Sequence, residues 1–429
     1  MLHLLCFLII SGDPTSINLN LNQAIQLALE RSPDIQVQNL QVMKAEQNRS
    51  LGRALDRPTL SANAQTGLDR TKLSSRPSES SWSTQAGIQS SWELYTAGGN
   101  KARNELYINQ HGAEQVLLEA ERQTVMKQTA IAFYEVLKQM GFVNVAEETL
   151  MLTQERLEKA ELRHKLGQNS QTDLLDAEVA FQDDLAELAL RKENLLIAFQ
   201  SLKTLLYLPS HAQLKVNGNF PELESLRPKD AWIARVLEFN PELRLLQSDQ
   251  AAGRLDVKVA ESAFKPRISL NSQLQFNHDH NWVSSLDSKS DRIFGSVSLN
   301  VSYHIFDGRK KRTELANANM TVRQIDHRFS QLQNELEHQV ARLHEQLNHR
   351  VNRQTLQERT VTKALAYLEI QTERFQLGLI DALTFRDAQI RLAIARQKLV
   401  EIQFLALESY LDLLRQTGQM TDILGTSSH

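Results

Sequence analysis

Two stretches of this chain, Gly99 to about Arg163 and Gly308 to about Arg374, contain no proline and almost no glycine, and apolar residues recur along them at helical spacing. In the second, Leu332, Leu336, Val340, Leu343, Leu347 and Val351 stand three or four residues apart. A helix of ~65 residues extends about 100 Å at 1.5 Å per residue, several times the diameter of a small domain. The apolar stripe is narrow, and "QNELEHQVARLHEQLNHR" is otherwise polar, so such a helix cannot form the inside of a globule. It is expected to be a stave in a sheath of neighbouring helices, packed sideways and wet on its other faces.

The chain is written twice. "ALERSPDIQ" at 28–36 matches "VLEFNPELR" at 236–244, and Arg57-Pro58 matches Lys265-Pro266, both with an offset of 208 residues. Further on, "RHKLGQNSQTDLLDAE" at 163–178 matches "RFQLGLIDALTFRDAQ" at 374–389 with an offset of 211. The expected plan is an N-terminal segment 1–16, a first repeat 17–207, a linker 208–227, a second repeat 228–418 and a tail 419–429. Each repeat would hold a short helix, two strands, a very long helix and a shorter one. The strands are placed at about 60–68 and 82–94, then 267–277 and 294–306. The helices are placed at about 99–163 and 170–207, then 308–374 and 382–417.

The strands carry a period of two. Ile268, Leu270, Leu274 and Phe276 alternate with Ser269, Asn271, Gln273 and Gln275; Val297, Leu299, Val301, Tyr303 and Ile305 alternate with small polar residues. The first repeat does the same with Leu60, Ala62, Ala64 and Leu68, then Trp82, Ala86, Ile88, Trp92 and Leu94. A soluble sheet with one buried face would alternate too. The opposite row here is Ser, Asn and Gln with few charges, which suits a water-filled lumen, and Trp82, Trp92 and Tyr303 lie near strand ends as membrane-interface aromatics do. The hairpin loops, "DRTKLSSRPSESS" and "HDHNWVSSLDSKSDR", are long and polar, as at the outer end of a membrane barrel. Four strands cannot close a barrel, since the smallest use about eight, so several chains must contribute. Two would give a filled interior and three a pore; a hollow helical wall favours three.

Composition removes other classes. Net charge is −3 with both signs interspersed, which leaves no global positive field for nucleic acid. The single cysteine, Cys6, excludes disulfides and thiolate metal sites elsewhere. It lies in "MLHLLCFLIISGDPTS", read as a shortened export signal, with a buried strand as the alternative; the residues before Cys6 do not make a lipid-anchoring site. No later run reaches the ~20 apolar residues of a membrane-spanning helix, so a chain that crosses a bilayer does so as strands.

The double repeat, with Pro33 and Pro241, Arg57-Pro58 and Lys265-Pro266, and Leu166-Gly167 and Leu377-Gly378, resembles the TolC-like outer-membrane efflux proteins over residues 17–418. The resemblance implies an α plus transmembrane-β fold, with long antiparallel helical hairpins forming a periplasmic tunnel and four strands per chain in a 12-stranded trimeric barrel. It implies a homotrimer in the outer membrane that passively conducts substrates delivered by a periplasmic adaptor and an inner-membrane pump or ABC transporter, in drug efflux or type I secretion. Neither catalysis nor a cofactor is implied. It also implies that the tips, with Arg163, Leu166, Gly167, Arg374, Leu377 and Gly378, contact the adaptor. The periplasmic aperture would be narrowed by Asp387, Asp176 and Asp173, with Thr384 at the position equivalent to Asp173. Ile380 departs from the family, standing where well-known members carry a basic gate residue. Helix capping is the alternative for Asp173 and Asp176.

Other features have plainer readings. "GRKKR" at 308–312 sets four cations at a helix start, either against anionic headgroups or as a solubilising cluster. In "HEQLNH" the histidines are five residues apart, which fails the spacing of a zinc-protease helix. His278 and His280 flank Asp279 in an expected exposed loop, with nothing to complete a metal shell. The rival to a duct is a coiled-coil scaffolding protein whose small sheets serve dimerisation.

Overall fold

The computed structural model describes residues 17–72, 79–168, 170–223, 227–283 and 286–422. The expected export signal with Cys6, the end of the tail and the centres of both hairpin loops lie outside the described residues. Contacts divide the chain into two compact units, each drawing on both repeats. One joins the residues up to Gln38 with Leu118–Pro241 and those from Leu332 on; the other joins Asn39–Leu117 with Glu242–Gln331.

In the first unit, β1 (Ile17–Leu19) pairs in parallel with β4 (Leu214–Val216), a strand inside the expected linker 208–227. α1 (Leu21–Arg31) follows a capping box in which Asn20 and Gln23 satisfy each other's backbone N–H. Each short helix ends before a proline that opens the next one: Pro33 starts α2 (Pro33–Ala54), and Pro241 follows α5 (Lys229–Phe239) to start α6 (Pro241–Ser262). Proline fits there because the first helical N–H has no partner to lose. The long helices are α3 (Gly99–Lys165) and α7 (Lys310–Gln376), 67 residues each, and the returning helices are α4 (Gln171–Leu205) and α8 (Ala382–Gln416). α8 is the most buried, with Leu407, Leu411, Leu413 and Leu414 inside a core that also holds Phe133, Ile25 and Trp232. Charged ties run from α8 to α3: Lys127 to Asp412 and Arg396 to Glu148. The expected tail begins inside this core, since Met420 is fully buried and its N–H donates to Gln123 Oε1 at 2.8 Å.

The second unit carries one antiparallel sheet in the order β2 (Thr59–Thr71), β3 (Glu79–Tyr95), β5 (Arg267–Val283), β6 (Leu286–Ser302), so a strand of each repeat forms the central pair. The strands depart from expectation at both ends. His278, Asp279 and His280 lie in β5 rather than in a loop, because pairing continues past the apolar alternation through polar side chains. His278 Nδ1 sits 2.5 Å from Asp291, and Arg292 donates to Asp279 at 3.3 Å. β6 stops at Ser302, so Tyr303 and Ile305 fall beyond it. A bulge between Glu93 and Tyr95 leaves Leu94 as the extra residue, and Tyr95 takes the place on the apolar row that the alternation gave to Leu94.

Both strand pairs hand over to their long helices through two successive left-handed residues, Ala97 and Gly98 before α3, Gly308 and Arg309 before α7. Glycine takes one of the two positions in each repeat, and a different one.

Candidate functional site

Two surfaces of this chain carry the sequence-derived site residues: the sheet in the second unit and the hairpin tips in the first. Direct cross-strand partners share a face, so the register fixes both faces of the sheet. One bears Ala62, Ile88, Leu274 and Gly295 in one row, Leu270 and Leu299 in another, Phe276 and Ile293 in a third. The large residues are bare: Ile293 is 77% and Leu60 75% exposed. Folding alone leaves this face uncovered, which a soluble sheet of this size does not tolerate.

The opposite face is a net of amides and hydroxyls. Gln273 donates to Gln275 at 2.6 Å, Gln275 to Asn277 at 2.7 Å and to Gln85 at 3.3 Å, and Ser91 donates to Asn271 at 2.9 Å. Trp82 and Trp92 stand on the apolar face ten residues apart. That is ~33 Å along the strand and about 25 Å across a bilayer after a ~40° tilt, the height of a membrane-barrel apolar band. Their indole N–H groups are satisfied, by Thr66 Oγ1 at 2.6 Å and the Asp56 carbonyl at 2.9 Å. Tyr303 lies just past β6 with the Lys311 ammonium 5.7 Å from its ring.

At the tips, both hairpins turn by the same backbone device. Gly167 has φ +69° and Gly378 φ +73°, and the N–H after each glycine reaches back to the carbonyls of Arg163 and Arg374 at 2.9 Å. Leu166 and Leu377 are exposed beside them. Arg163 does not stand free: its guanidinium lies 5.8 Å from the Phe375 ring and joins the two tips.

The candidate aperture residues separate. Asp173 is a capping residue: Ser170 Oγ accepts from its N–H at 3.1 Å, and its carboxylate accepts from the Ser170 hydroxyl at 2.8 Å and N–H at 3.3 Å. In the second repeat the residue types are exchanged. Asp381 is the N-cap and accepts from the Thr384 N–H at 2.8 Å, so the acid missing at Thr384 has moved three residues back. The Thr384 bonds hold the Asp381 carboxyl below its ordinary pKa. Asp387 pairs with Arg391, which donates through Nε at 2.6 Å. Asp176 is exposed, and together with Asp173 it lies within electrostatic reach of Arg156. Ile380 packs against Leu368, Phe385, Ala388 and Leu392, closing the α7–α8 core.

A partly buried ion pair had no counterpart in the sequence. Arg386 grips Asp184 with both guanidinium nitrogens, at 2.6 and 2.8 Å, and donates to Thr153 Oγ1 at 3.1 Å. Arg156 lies nearby, only 7% exposed, and burial first, then Arg386, lowers its pKa. Arg391 and Asp381 had local signals, at i+4 from Asp387 and in a D-x-x-T cap. Asp184 and Arg386 are 202 residues apart and had none.

A bare apolar face, a polar face of amides and paired long hairpins stand here in a chain that one family model matches. Its model, the outer membrane efflux protein, matches residues 24–206 and again 232–419, once per repeat. The chain belongs to the outer membrane efflux protein family. It is accordingly a channel component of the outer membrane, and the scaffolding alternative falls. The solvent efflux pump outer membrane protein SrpC of Pseudomonas putida is 22% identical over 95% of this chain and 85% of that protein. The outer membrane protein TolC of Vibrio cholerae is 20% identical over 79% of this chain and 77% of its own length. Among solved structures, the outer membrane protein VceC of Vibrio cholerae superposes with a TM-score of 0.74 at 17% identity, covering 93% of this chain and 96% of that one.

Proposed function

We propose that three copies of this chain close a twelve-stranded barrel in the outer membrane and continue it as a helical tunnel into the periplasm. The tunnel passively conducts substrate handed over by a periplasmic adaptor and an inner-membrane pump or ABC transporter. The observation that carries this reading is the sheet itself. Its two outer strands, β2 and β6, have no partner along their outer edges among the described residues, and its two faces are suited to hydrocarbon and to water. An open edge beside an apolar face is removed by annular closure, where β6 of one copy meets β2 of the next. Three copies leave an aqueous bore, whereas two would fill it with side chains.

No bond is made or broken in this function; the chain supplies a wall, and its partners supply the energy. The tips around Leu166-Gly167 and Leu377-Gly378 offer bare leucines to the adaptor. Asp387, with Arg391 beside it, forms the narrow entrance, and Trp82, Trp92 and Tyr303 mark the bilayer surfaces. The relative SrpC is named for solvent efflux, and cargo is chosen by the pump rather than by this wall.

Purified in detergent, the protein is expected to run as a trimer and to conduct ions in planar bilayers. Asp387→Ala is expected to raise conductance and, by leaving Arg391 unpaired, to weaken cation preference. A monomer that stays in the aqueous phase would overturn the duct, and unchanged conductance and selectivity in the variant would remove Asp387 from the entrance.

A further inference from the structure

We propose that the junction between sheet and helices is a cationic collar that binds the phosphate headgroups of anionic phospholipids in the leaflet at the periplasmic rim. This rests on the barrel reading above. All four strands meet helices at the same end, and each meeting point carries cations: Arg57 before β2, Lys101 after β3, Lys265 before β5, and Arg309, Lys311 and Arg312 after β6. Residues 53–57, 101–105, 258–267 and 307–314 together hold eleven Lys or Arg against five Asp or Glu, in a chain whose net charge is −3. At the opposite ends of the strands two ion pairs close across β5 and β6, His278 with Asp291 and Arg292 with Asp279.

The collar is placed against local stability. The positive end of a helix dipole disfavours cations, yet neither α3 nor α7 has an acid in its first turn, and α7 opens with Lys310 and Lys311. Arg309 holds φ +73°, a conformation that favours glycine. Nor do internal ion pairs account for these cations. Of the eleven, only Lys310 has a carboxylate within 4 Å among the described residues, Glu314 at 3.9 Å.

Directly beside the cations the chain bares large apolar residues, Ile305 at 91% and Phe306 at 85% exposure, with Phe264 next to Lys265. They lie just past the end of β6 and just before β5. Apolar groups followed by unpaired cations make the signature of a surface seated at a hydrocarbon–headgroup boundary. A cleft of about 240 Å³ between the start of α3 and the end of α6 gives a phosphate a place to sit, between Lys101, Lys258 and Lys265. Glu105 and Glu261 line the same cleft, so the preference for anions comes from the field of the whole collar and not from the cleft alone.

The full-length protein would be reconstituted into vesicles of phosphatidylglycerol and phosphatidylcholine in equal parts, extracted in detergent, and its retained lipids counted by native mass spectrometry. Retention of phosphatidylglycerol over phosphatidylcholine is expected to be at least ~fivefold and to fall towards parity in about 0.5 M NaCl. The variant Lys101→Gln/Lys265→Gln/Arg309→Asn/Arg312→Gln should lose the preference while remaining folded, since all four side chains are exposed or unpaired. Equal retention of both lipids by the wild type, or an undiminished preference in the variant, would overturn the collar. Millimolar inorganic phosphate should not displace the lipid; displacement would show a free-anion site instead. Insertion is scored separately, by resistance to alkaline extraction from pure phosphatidylcholine vesicles. Inserted protein without lipid preference defeats the collar alone, and protein that never inserts defeats the barrel and the collar together.

Discussion

The two hairpin tips share one backbone and differ in what fills them. Each turns on a left-handed glycine, and each returning helix has an N-cap side chain, of Ser170 or Asp381, that accepts from the backbone N–H three residues on, at positions 211 residues apart. Inside the α7–α8 tip the filling is apolar: Phe375 and Phe385 stack 4.7 Å apart at 3°, above Leu368, Ala388 and Leu392. Inside the α3–α4 tip the corresponding region holds small and polar residues: Ala160 and Ala177 are buried, with Thr153, Arg156 and Asp184 further in. The second hairpin fills its tip from its own two helices, with Arg163 of the first set against Phe375. The first needs Arg386, a residue of the other repeat, to neutralise its partly buried aspartate.

The largest effect should come from the self-contained side. Phe385 is 7% exposed, and Phe385→Ala removes one half of a stacked pair in a narrow core, so a loss of about 4 kcal/mol is expected for opening of the α7–α8 tip. Hydrogen exchange of residues around 368–392 reads this directly. The α3–α4 tip should keep its protection; joint opening of both tips would mean that the two do not stand as separate structures.

On the other side, Asp184→Asn leaves Arg386 and Arg156 close together with no buried anion, at an expected cost of about 3 kcal/mol. Replacing both partners, as Asp184→Asn/Arg386→Met, should recover most of that, because a missing pair is better tolerated than half of one. Recovery in the double variant, measured by chemical unfolding in detergent, separates a charge effect from a packing effect. A double variant as weak as the single one would end the ion-pair account.

Much of this contrast was legible in the sequence, and the part that was not has a physical reason. Offsets of 208 and 211 expose the repeat because a copied backbone keeps its prolines and glycines where φ or a missing N–H requires them. Alternation gave the two faces of the sheet, but the apolar row ended at Phe276, so the polar continuation of β5 through His278 and His280 read as a loop. Leu94 fell to a bulge that periodicity cannot register. Asp173 could be read either as a cap or as a gate, since S-x-x-D encodes a box and its alternative depends on neighbouring chains. Asp184 with Arg386 could not be read at all: a pair brought together by tertiary packing leaves no spacing.

One polar layer interrupts the apolar tip. Gln371 and Gln389, four residues from Phe375 and Phe385 respectively, are buried at 5% and 2% exposure, and Gln389 Nε2 and Oε1 have no hydrogen-bond partner among the described residues. A buried amide without partners costs more than a buried methyl group gains, so Gln389→Leu should stabilise the hairpin by about 1–2 kcal/mol. Destabilisation instead would show that the amide finds a partner in the assembled protein, and would move this layer from the packing of one chain to the contacts between chains.

The smallest expected effect tests the repeat itself, at the far ends of the returning helices. Just past α8 stands Gly418 at φ +65°, whose following N–H reaches the Leu414 carbonyl at 2.9 Å. The position 211 residues earlier is Tyr207, held at φ +51° with the same closing bond from the Leu208 N–H to the Lys203 carbonyl at 3.0 Å. A side chain in this conformation costs roughly 1 kcal/mol, and Tyr207 is 45% exposed, so little packing offsets it. Tyr207→Gly should therefore slow exchange of the last turn of α4 by about fivefold, net of the extra freedom that glycine gives the unfolded chain. Gly418→Ala should speed exchange at the end of α8 by a similar factor. Opposite signs at equivalent positions would show that the two repeats keep the same backbone and differ only in which one was given the residue suited to it; equal signs would show that neighbouring contacts, not the turn, decide the end of each helix.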